Sequence, residues 1–558
     1  MKYLKQFLPL IFIFLLSLVS IIPFFHSGFF PIHDNTQVQR VFEMTKSLKD
    51  GVFPVRWVQD LGFGYGYPIF NFYAPFAYYL GSIFNIFGLD LLFSTKLMMS
   101  LGIVLSGFSM YLLAKEIWGK SGGVVSALLY VFAPYHAVDV YVRGDVAEFW
   151  AYAFIPLVFY CLLKIHKTGN FRFIVAGALS YAALIVSHNL TALMATPFIL
   201  IFMGMLFLGN RKTGKNLLMA IIFGLLISAF YWLPALLEIN YTNVLSQIGG
   251  GADYKDHFVC LSQLWSSPWG FGGSAKGCVD GLSFMIGKIH ILLLFISVVL
   301  FGLGWRLKKV EKKKGYLLIY FLLALLFSSF LTLDYSRFIW DLVKPMALFQ
   351  YPWRFLLMIA FFISLISGSL LYYWLIIFKR KWISLLVFVT VSLVIVVFNG
   401  KYFTAQKYLS VSSSDFTNDY FLKFRTSQIS SEYMPKDFSK PKSYSEIPIG
   451  ISVAQGKVTV ISQSKSTSKY IINYSADSNA KIIVPIAYFP AWKVSLDGQS
   501  YRYEAGNRGL LVNLPKGNHS LTFSFKQTNI EILSDILSLS GVLLLVIGII
   551  IILKKKSI

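Results

Sequence analysis

Long apolar runs, separated by short polar breaks, dominate the pattern of this chain. A run of about 18 or more uncharged residues is long enough to cross the hydrocarbon core of a membrane as a helix. The sequence predicts about twelve such helices, over residues 7–25, 91–113, 121–137, 149–165, 173–187, 190–208, 216–236, 288–305, 315–333, 352–376, 382–398 and 530–553. The pattern therefore predicts an α-helical polytopic membrane protein.

Composition supports this interpretation. Hydrophobic residues make up 56% of the 558 residues and charged residues only 14%, against about 45–50% and about 25% in soluble domains. Lys and Arg outnumber Asp and Glu by 50 to 26, a net charge of +24. Many of these cations lie in short loops between apolar runs, where they fix orientation in the bilayer. We therefore expect the lipid bilayer, and no nucleic acid, as a partner.

One topology places every basic loop on the cytoplasmic side. Both termini are then cytoplasmic, and the first apolar run is a retained anchor. The stretch 70–88 must lie in the outer interface, because a crossing there would invert all later loops. All sizeable hydrophilic segments fall outside, which predicts a multi-pass cell-membrane protein whose chemistry takes place on its exterior face.

The last hydrophilic block differs from the loops before it. Alternating strand-like segments and turn dipeptides such as Asp497-Gly498 predict antiparallel strands. The Ser-rich stretch 410–445 indicates a linker. We predict three parts, namely a transmembrane domain over 1–398, an exterior β-sandwich over 399–529, and a C-terminal helix with a basic tail over 530–558.

Two of the three cysteines share one exterior loop. Outside the cytosol Cys260 and Cys278 can form a disulfide, and two free thiols are the equal alternative for so few cysteines. Two thiols alone make a poor metal site.

An acidic residue follows the first apolar run directly. Asp34 lies between this run and an amphipathic helix that starts near Gln37, so we expect it at the membrane surface. The plain alternative is that Asp34 only caps the helix, because aspartate before a helix accepts backbone N–H groups. Capping and catalysis are compatible roles.

A second group of ionisable residues lies between two apolar runs. A helix that starts near Asp145 would project Asp145 and Glu148 from one face. Charges beside apolar spans are costly, so these carboxylates need either partners or a function. A salt bridge with Arg143 is the purely structural alternative.

Polar residues also interrupt apolar surroundings further along the chain. His188 and Asn189 either line a cavity or form a hairpin turn. Arg337 and Arg354 lie near the outer ends of apolar runs, and the guanidinium fork suits phosphate oxygens. The alternative for Arg354 is snorkelling to the interface beside Trp353.

Several of these segments resemble a known family. The motifs are Asp34 to Thr36, Gly62 to Pro68, Ser187 to Asn189 and Gln350 to Arg354. They resemble bacterial and archaeal membrane proteins labelled 6-pyruvoyl-tetrahydropterin-synthase-related, a label that implies no pterin chemistry here. Tyr488 to Gly498 is similar to the exterior domain of YfhO-type proteins. An acid after the first span and a second acidic cluster outside look like the GT-C membrane glycosyltransferases.

The resemblance implies a GT-C-like fold and an inverting transfer of sugar from a polyprenyl phosphate or diphosphate to a glycan, lipid or protein acceptor. It implies that Asp34 is the candidate base or acceptor-orienting group and that Asp145 or Glu148 is the second acidic group. Such carboxylates would suit Mg²⁺ or Mn²⁺, but a clean Asp-x-Asp is missing, which leaves metal dependence open. The residues expected to bind substrate are His33, Arg143, His188, Asn189, Arg337 and Arg354.

Three other functions stay open. A transporter or lipid flippase would carry its ionisable residues at mid-membrane, whereas here they gather at outer ends. An acyltransferase would use His188 as its base. A non-catalytic surface protein would bind glycans through the sandwich.

Overall fold

Apolar helices form the body of the molecule. The computed structural model describes residues 4–249 and 252–556. Within these ranges nine helices are long and apolar enough to cross a membrane, or ten if one bent pair counts as a span. The nine include Leu4–Ile21, Leu91–Val131, Val146–Thr168, Asn189–Gly209, Lys288–Arg306, Lys312–Thr332, the pair Leu356–Ser367 and Ser369–Phe378, Lys381–Asn399 and Asn529–Lys556. The prediction of a multi-pass membrane protein is confirmed.

Three of the twelve predicted runs are not counted as separate long helices among these nine. Leu91–Val131 is a helical hairpin: φ is 82° at Gly119, and a Cβ on Gly107 would lie 2.8 Å from Val131. This hairpin contains two of the predicted runs. The run 173–187 is the 17-residue helix Phe171–Ser187. The run 216–236 is a bent pair, Arg211–Ile227 and Ala229–Leu237, at 66° to each other.

The stretch 70–88 is not a span. It carries two short helices, Ile69–Phe72 and Phe76–Ile86. An 11-residue helix is about 16 Å long, about half the hydrocarbon thickness. The amphipathic helix Gln37–Lys49 packs against it, with Val41 beside Gly81. These two helices form a layer of residues 26–90, named the first exterior segment because the topology predicts that it lies outside.

Two antiparallel sheets precede the last helix, as predicted. The strands are β1 Ser452–Gln455, β2 Val458–Ser466, β3 Lys469–Ala476, β4 Ala480–Val484, β5 Trp492–Leu496, β6 Gln499–Tyr501, β7 Glu504–Gly506, β8 Gly509–Leu514 and β9 Gly517–Phe525. They pair in the orders β1-β4-β8-β7 and β2-β3-β9-β5-β6. Alternate residues such as Ile482 and Val484 are buried, as in sheets with one inner face. A domain boundary at 399 stays a prediction.

The Ser-rich stretch 410–445 is not a linker, so that prediction was wrong. It contains the helices Ser413–Thr417 and Ser427–Ile429 and buries Tyr433. Its serines bond the backbone of the first exterior segment: Ser427 Oγ accepts a hydrogen bond from the Phe63 N–H at 2.9 Å. Serine here satisfies buried backbone donors instead of marking a flexible chain.

Cys260 and Cys278 form a disulfide, which settles the alternative left open by the sequence. The loop that it closes reaches the first exterior segment, where His33 Nε2 lies 2.9 Å from the carbonyl oxygen of Phe271.

A buried polar cluster ties the start of the last helix to the body. Arg56 donates to Asn71 Oδ1 at 2.8 Å, and Asn71 donates to Glu531 Oε1 at 2.6 Å. Thr528 Oγ1 donates to Glu238 Oε1 at 2.5 Å. Burial raises the pKa of Glu238 from 4.5 to about 7. Glu238 is therefore protonated in the folded protein at mildly acidic pH.

We expect this cluster to make stability depend on pH. Because the folded state holds the Glu238 proton more tightly than the unfolded state, stability is greatest below pH 4.5 and falls as the pH rises to about 7. Glu238→Gln is neutral at every pH and removes this contribution. The apparent Tm in nanodiscs should therefore fall less with pH in Glu238→Gln than in the wild type or in Glu311→Gln, an exposed control. Parallel curves for all three proteins would contradict this.

Candidate active site

The turn before the helix Val146–Thr168 brings three acidic side chains together. Residues Asp139–Arg143 form a widened π-helical turn, a feature frequent at functional sites. Gly144 then adopts φ 65°, and a Cβ at this position would collide with Ile32. Only glycine suits both conditions. Asp145 caps the following helix by accepting a hydrogen bond from the Glu148 N–H at 3.1 Å.

One guanidinium binds all three carboxylates. Arg143 donates to Asp139 Oδ1 at 2.6 Å, to Glu148 Oε2 at 2.8 Å and to Asp145 Oδ2 at 2.8 Å. Tyr135 donates its hydroxyl hydrogen to Glu148 Oε1 at 2.6 Å. All five side chains are buried, and each buried ion costs several kcal/mol of desolvation. The salt-bridge alternative is therefore correct for Arg143, and Asp145 and Glu148 share one face as predicted.

Backbone hydrogen bonds hold Asp34 against this turn. The Asp34 N–H donates to the Arg143 carbonyl at 2.9 Å, and the His33 N–H donates to the Val142 carbonyl at 3.0 Å. The Asp34 carboxylate is half-buried and makes no hydrogen bond or salt bridge to any described residue. Thr36, not Asp34, is the N-cap of the next helix, so the capping alternative is wrong. Burial and the charge of Asp145 raise the pKa of Asp34.

Arg354 approaches the same carboxylates but is not saturated by them. Its Nη2 lies 3.8 Å from Asp145 Oδ2, and its Nε lies 3.6 Å from Glu148 Oε2, both beyond hydrogen-bond range. Arg354 is only 8% exposed, yet Nε and Nη1 have no hydrogen-bond partner in the described part of the chain. Buried polar groups are normally satisfied. A buried guanidinium with spare donors suits an anionic ligand.

The other predicted site residues divide into two groups. His188 is buried, its Nδ1 lies 2.7 Å from Thr191 Oγ1, and it is one of the groups that lower the pKa of Asp145. His188 therefore belongs to the site. Asn189 starts the next helix and accepts a hydrogen bond from the Leu190 N–H at 2.9 Å.

Arg337 is placed elsewhere. It is exposed and pairs with Asp334 at 2.6 Å, and it also donates to the Lys255 carbonyl at 3.4 Å. Among its contacts in the described ranges, none reaches the carboxylates bound by Arg143. The prediction that Arg337 binds the same ligand as Arg354 has no support in this geometry.

Sequence analysis missed Arg40. Its guanidinium carbon lies 4.0 Å from the centre of the Tyr73 ring, and Nη1 donates to the Tyr78 hydroxyl at 3.2 Å. Tyr78 donates to Gln37, whose amide in turn donates to the Gly144 carbonyl at 2.8 Å. Gln37 and Arg40 are three residues apart and share a helix face. That spacing, directly after Asp34, was the available signal.

The carboxylates of Asp139, Asp145 and Glu148 are close enough to hold a metal ion, with one oxygen from each within 4.8 Å of the others. Each of them already accepts a hydrogen bond from Arg143, whose charge takes the place of a cation. Mg²⁺ or Mn²⁺ would have to displace this guanidinium. The residues as arranged therefore do not fit a resident metal.

Removal of the Arg143 guanidinium should allow the three carboxylates to bind a metal ion. In Arg143→Ala the carboxylates lie together without compensation, so we expect a lower apparent Tm, which millimolar Mn²⁺ partly restores. Wild type and Arg337→Ala, which alters an exposed arginine, should not respond to Mn²⁺. Thermal unfolding in nanodiscs with Mn²⁺ or with EDTA measures both effects. Equal Mn²⁺ stabilisation of the wild type would show a resident metal site instead.

An apolar groove of about 380 Å³ lies beside the cluster. Leu179, Ala183 and Val186 of the helix Phe171–Ser187 line it, together with Phe76 and Phe154 from neighbouring helices. Val186 lies two residues before His188, and Phe76 packs at 5.3 Å against Trp150, next to the turn that holds Glu148. The groove therefore runs along an apolar helix, close to the elements that carry His188 and Glu148, an arrangement suited to a hydrocarbon chain.

Comparison with known proteins agrees with the membrane character. The family model described as "6-pyruvoyl-tetrahydropterin synthase related domain; membrane protein" matches residues 70–247, which confirms the resemblance drawn from the motifs. An uncharacterized protein of Lactococcus lactis subsp. cremoris is 25% identical over 238 residues, or 40% of this chain and 39% of that protein. The chain thus matches about two-fifths of the length of this curated relative.

Solved structures of two transferases are also similar. An Archaeoglobus fulgidus oligosaccharyltransferase in its apo form is 12% identical, with 79% of this chain and 62% of that chain covered and a TM-score of 0.45. The arabinofuranosyltransferase AftD from Mycobacteria is 12% identical, with 72% and 27% covered and a TM-score of 0.47. Because both TM-scores lie below 0.5, these similarities carry no weight in assigning a function.

Proposed function

We propose that this chain is a membrane glycosyltransferase that takes sugar from a polyprenyl-phosphate donor on the exterior face of the cell membrane. One observation carries the proposal: the unpaired carboxylate of Asp34 lies in a cluster with Arg354, a buried arginine with spare donors, beside an apolar groove. Transfer from a lipid-linked sugar needs these three elements, namely a base, an anion site and a place for the lipid.

The carboxylates of Asp145 and Asp34 differ in basicity. Burial favours the protonated form of Asp145, but Arg143 outweighs it and lowers the pKa of Asp145 to about 2. Asp145 is therefore a weak base that keeps its charge. Asp34 has a raised pKa and no bound partner, and a base works best with a pKa near the operating pH. This difference favours Asp34 as the base.

In the proposed reaction the prenyl chain lies in the apolar groove and the donor phosphate binds Arg354. Asp34 takes the proton of an acceptor hydroxyl while the hydroxyl oxygen forms a bond to C1 of the donor sugar. The bond between C1 and the phosphate oxygen breaks, and polyprenyl phosphate leaves with the electron pair. Arg354 stabilises the charge that develops on the phosphate. In-line displacement of this kind inverts the configuration at C1.

Asp145 and Glu148 serve as positioning residues in this account. Their carboxylates hold Arg143 by hydrogen bonds and keep the Arg354 guanidinium within 3.8 Å. The two arginines supply the positive charge that a metal ion would otherwise bring. No step in the proposed reaction requires a divalent cation.

The disulfide supports an exterior site. Cys260 and Cys278 close a loop that contacts His33, the neighbour of Asp34, and disulfides persist outside the reducing cytosol. The basic loops then lie in the cytoplasm together with both termini. A glycan, lipid or protein acceptor at the cell surface has access to this face.

Asp34→Asn tests the proposed base. Because the carboxylate has no partner among the described residues, we expect the variant to fold while turnover falls by about 10²–10⁴-fold. In the wild type, turnover should rise with pH through a pKa above the ordinary 3.8 of aspartate, since only the ionised form accepts a proton. Release of polyprenyl phosphate from radiolabelled polyprenyl-phosphate sugars in membranes measures both. Asp334→Asn, an exposed control, should keep full turnover.

Two results would contradict the proposal. Full turnover of Asp34→Asn would remove Asp34 from catalysis. Movement of lipid-linked sugar across proteoliposomes without sugar transfer would instead favour the flippase alternative.

A further inference from the structure

Aromatic and acidic side chains from two distant parts of the chain flank Asp34. Arg40 and Tyr73 come from the first exterior segment, with the guanidinium carbon 4.0 Å from the ring centre. Glu432 and Tyr433 come from the stretch 410–445, almost 400 positions later. The reaction proposed above gives none of these four residues a role.

Specific contacts fix the distant segment in place. Ser430 Oγ lies 2.9 Å from the Tyr67 hydroxyl, and the Met434 carbonyl accepts a hydrogen bond from the Asn243 N–H at 2.9 Å. Between these two anchors the Tyr433 ring stacks on Tyr67 at 5.8 Å and meets Tyr73 edge-on at 6.4 Å. Residues 430–434 therefore form a fixed wall beside the aromatic rings of the first segment.

Glu432 lies in this wall, directly before Tyr433. Its charge interacts with those of Arg40 and Asp34. Glu432, Asp34 and Tyr73 are all half-buried, so each keeps some surface open to a ligand. Arg40 is 4% exposed, and its Nε has no hydrogen-bond partner in the ranges that the structure describes.

We propose that Glu432, Tyr433, Tyr73 and Arg40 form the subsite that binds the acceptor, and that the acceptor is a sugar hydroxyl of a glycan. This inference rests on the proposed function and names its second substrate. Glu432 accepts a hydrogen bond from one hydroxyl of the acceptor sugar, which directs a neighbouring hydroxyl to Asp34. Glu432 is thus a specificity-determining residue and not the base.

The chemistry of the subsite favours a neutral sugar. The open part of the half-buried Tyr73 ring, which Tyr433 holds in place, packs against the C–H groups of a sugar ring, and the carboxylate and guanidinium bind its hydroxyls. Asp34 and Glu432 bring two negative charges and Arg40 one positive charge, so the subsite offers no surplus cation to an anionic acceptor. A peptide or lipid hydroxyl lacks the polyol ring that this set of groups fits.

Saturation-transfer NMR on the full chain in nanodiscs tests the subsite without turnover. The probes are methyl glycosides of glucose, galactose, mannose and arabinofuranose. Serine and threonine peptides are tested as the alternative class of acceptor. At least one glycoside should bind the wild type, and Glu432→Gln should weaken this binding about tenfold through the lost charged hydrogen bond. Asp437→Asn, an exposed acid in the same stretch, should bind like the wild type.

Undecaprenyl phosphate binding controls for folding and separates the two proposals. The subsite is supported if Glu432→Gln still binds undecaprenyl phosphate but no longer binds the glycoside. Equal glycoside affinity in Glu432→Gln and wild type, absence of glycoside binding by wild type, or binding of peptides alone would overturn it. If glycosides bind through Glu432 but Asp34→Asn keeps full turnover, the proposed function fails while the subsite stands.

Discussion

The site depends on one guanidinium that neutralises three buried carboxylates. Asp139 comes from the π-helical turn, and Asp145 and Glu148 come from the start of the helix Val146–Thr168. Unpaired charge is costly beside membrane-spanning helices. Arg143 binds all three through hydrogen bonds of 2.6–2.8 Å. Its carbonyl oxygen also holds the backbone of Asp34. The same residue thus compensates the buried charge and positions the first exterior segment.

The cluster contains two arginines and two aspartates that differ in their partners. One of each is saturated, which means that its side chain is paired within the protein, and one of each is not. Arg143 uses its donors within the protein, whereas Arg354 keeps Nε and Nη1 unbonded. Asp145 is held ionised by Arg143, whereas Asp34 has a raised pKa and no described partner. The saturated pair is structural, and the unsaturated pair is available to a ligand. This division, rather than the presence of acidic residues, gives the site its proposed chemistry.

The sequence predicted the parts that depend on local pattern. The apolar runs predicted the helices. The short spacing between Arg143, Asp145 and Glu148 predicted that these three side chains make contact. The hairpin at Gly119 was also predicted, because the polar break around Lys115 and Lys120 separates the apolar runs 91–113 and 121–137. Arg40 and Glu432 meet only through tertiary contacts between segments almost 400 positions apart, and serine-rich composition concealed the second of them. Arg337 and Arg354 both lie near the ends of apolar runs, and the fold shows that Arg354 is buried whereas Arg337 is exposed and paired with Asp334.

Arg354 is the residue that we propose binds a lipid-linked phosphate. The most direct measurement is the affinity of undecaprenyl phosphate for the purified protein in nanodiscs, by native mass spectrometry, for wild type, Arg354→Gln and Arg337→Gln. Arg354→Gln should lose at least about tenfold in affinity, since a charged hydrogen bond to phosphate is lost, while Arg337→Gln should bind like the wild type. Equal affinity in all three proteins would contradict it.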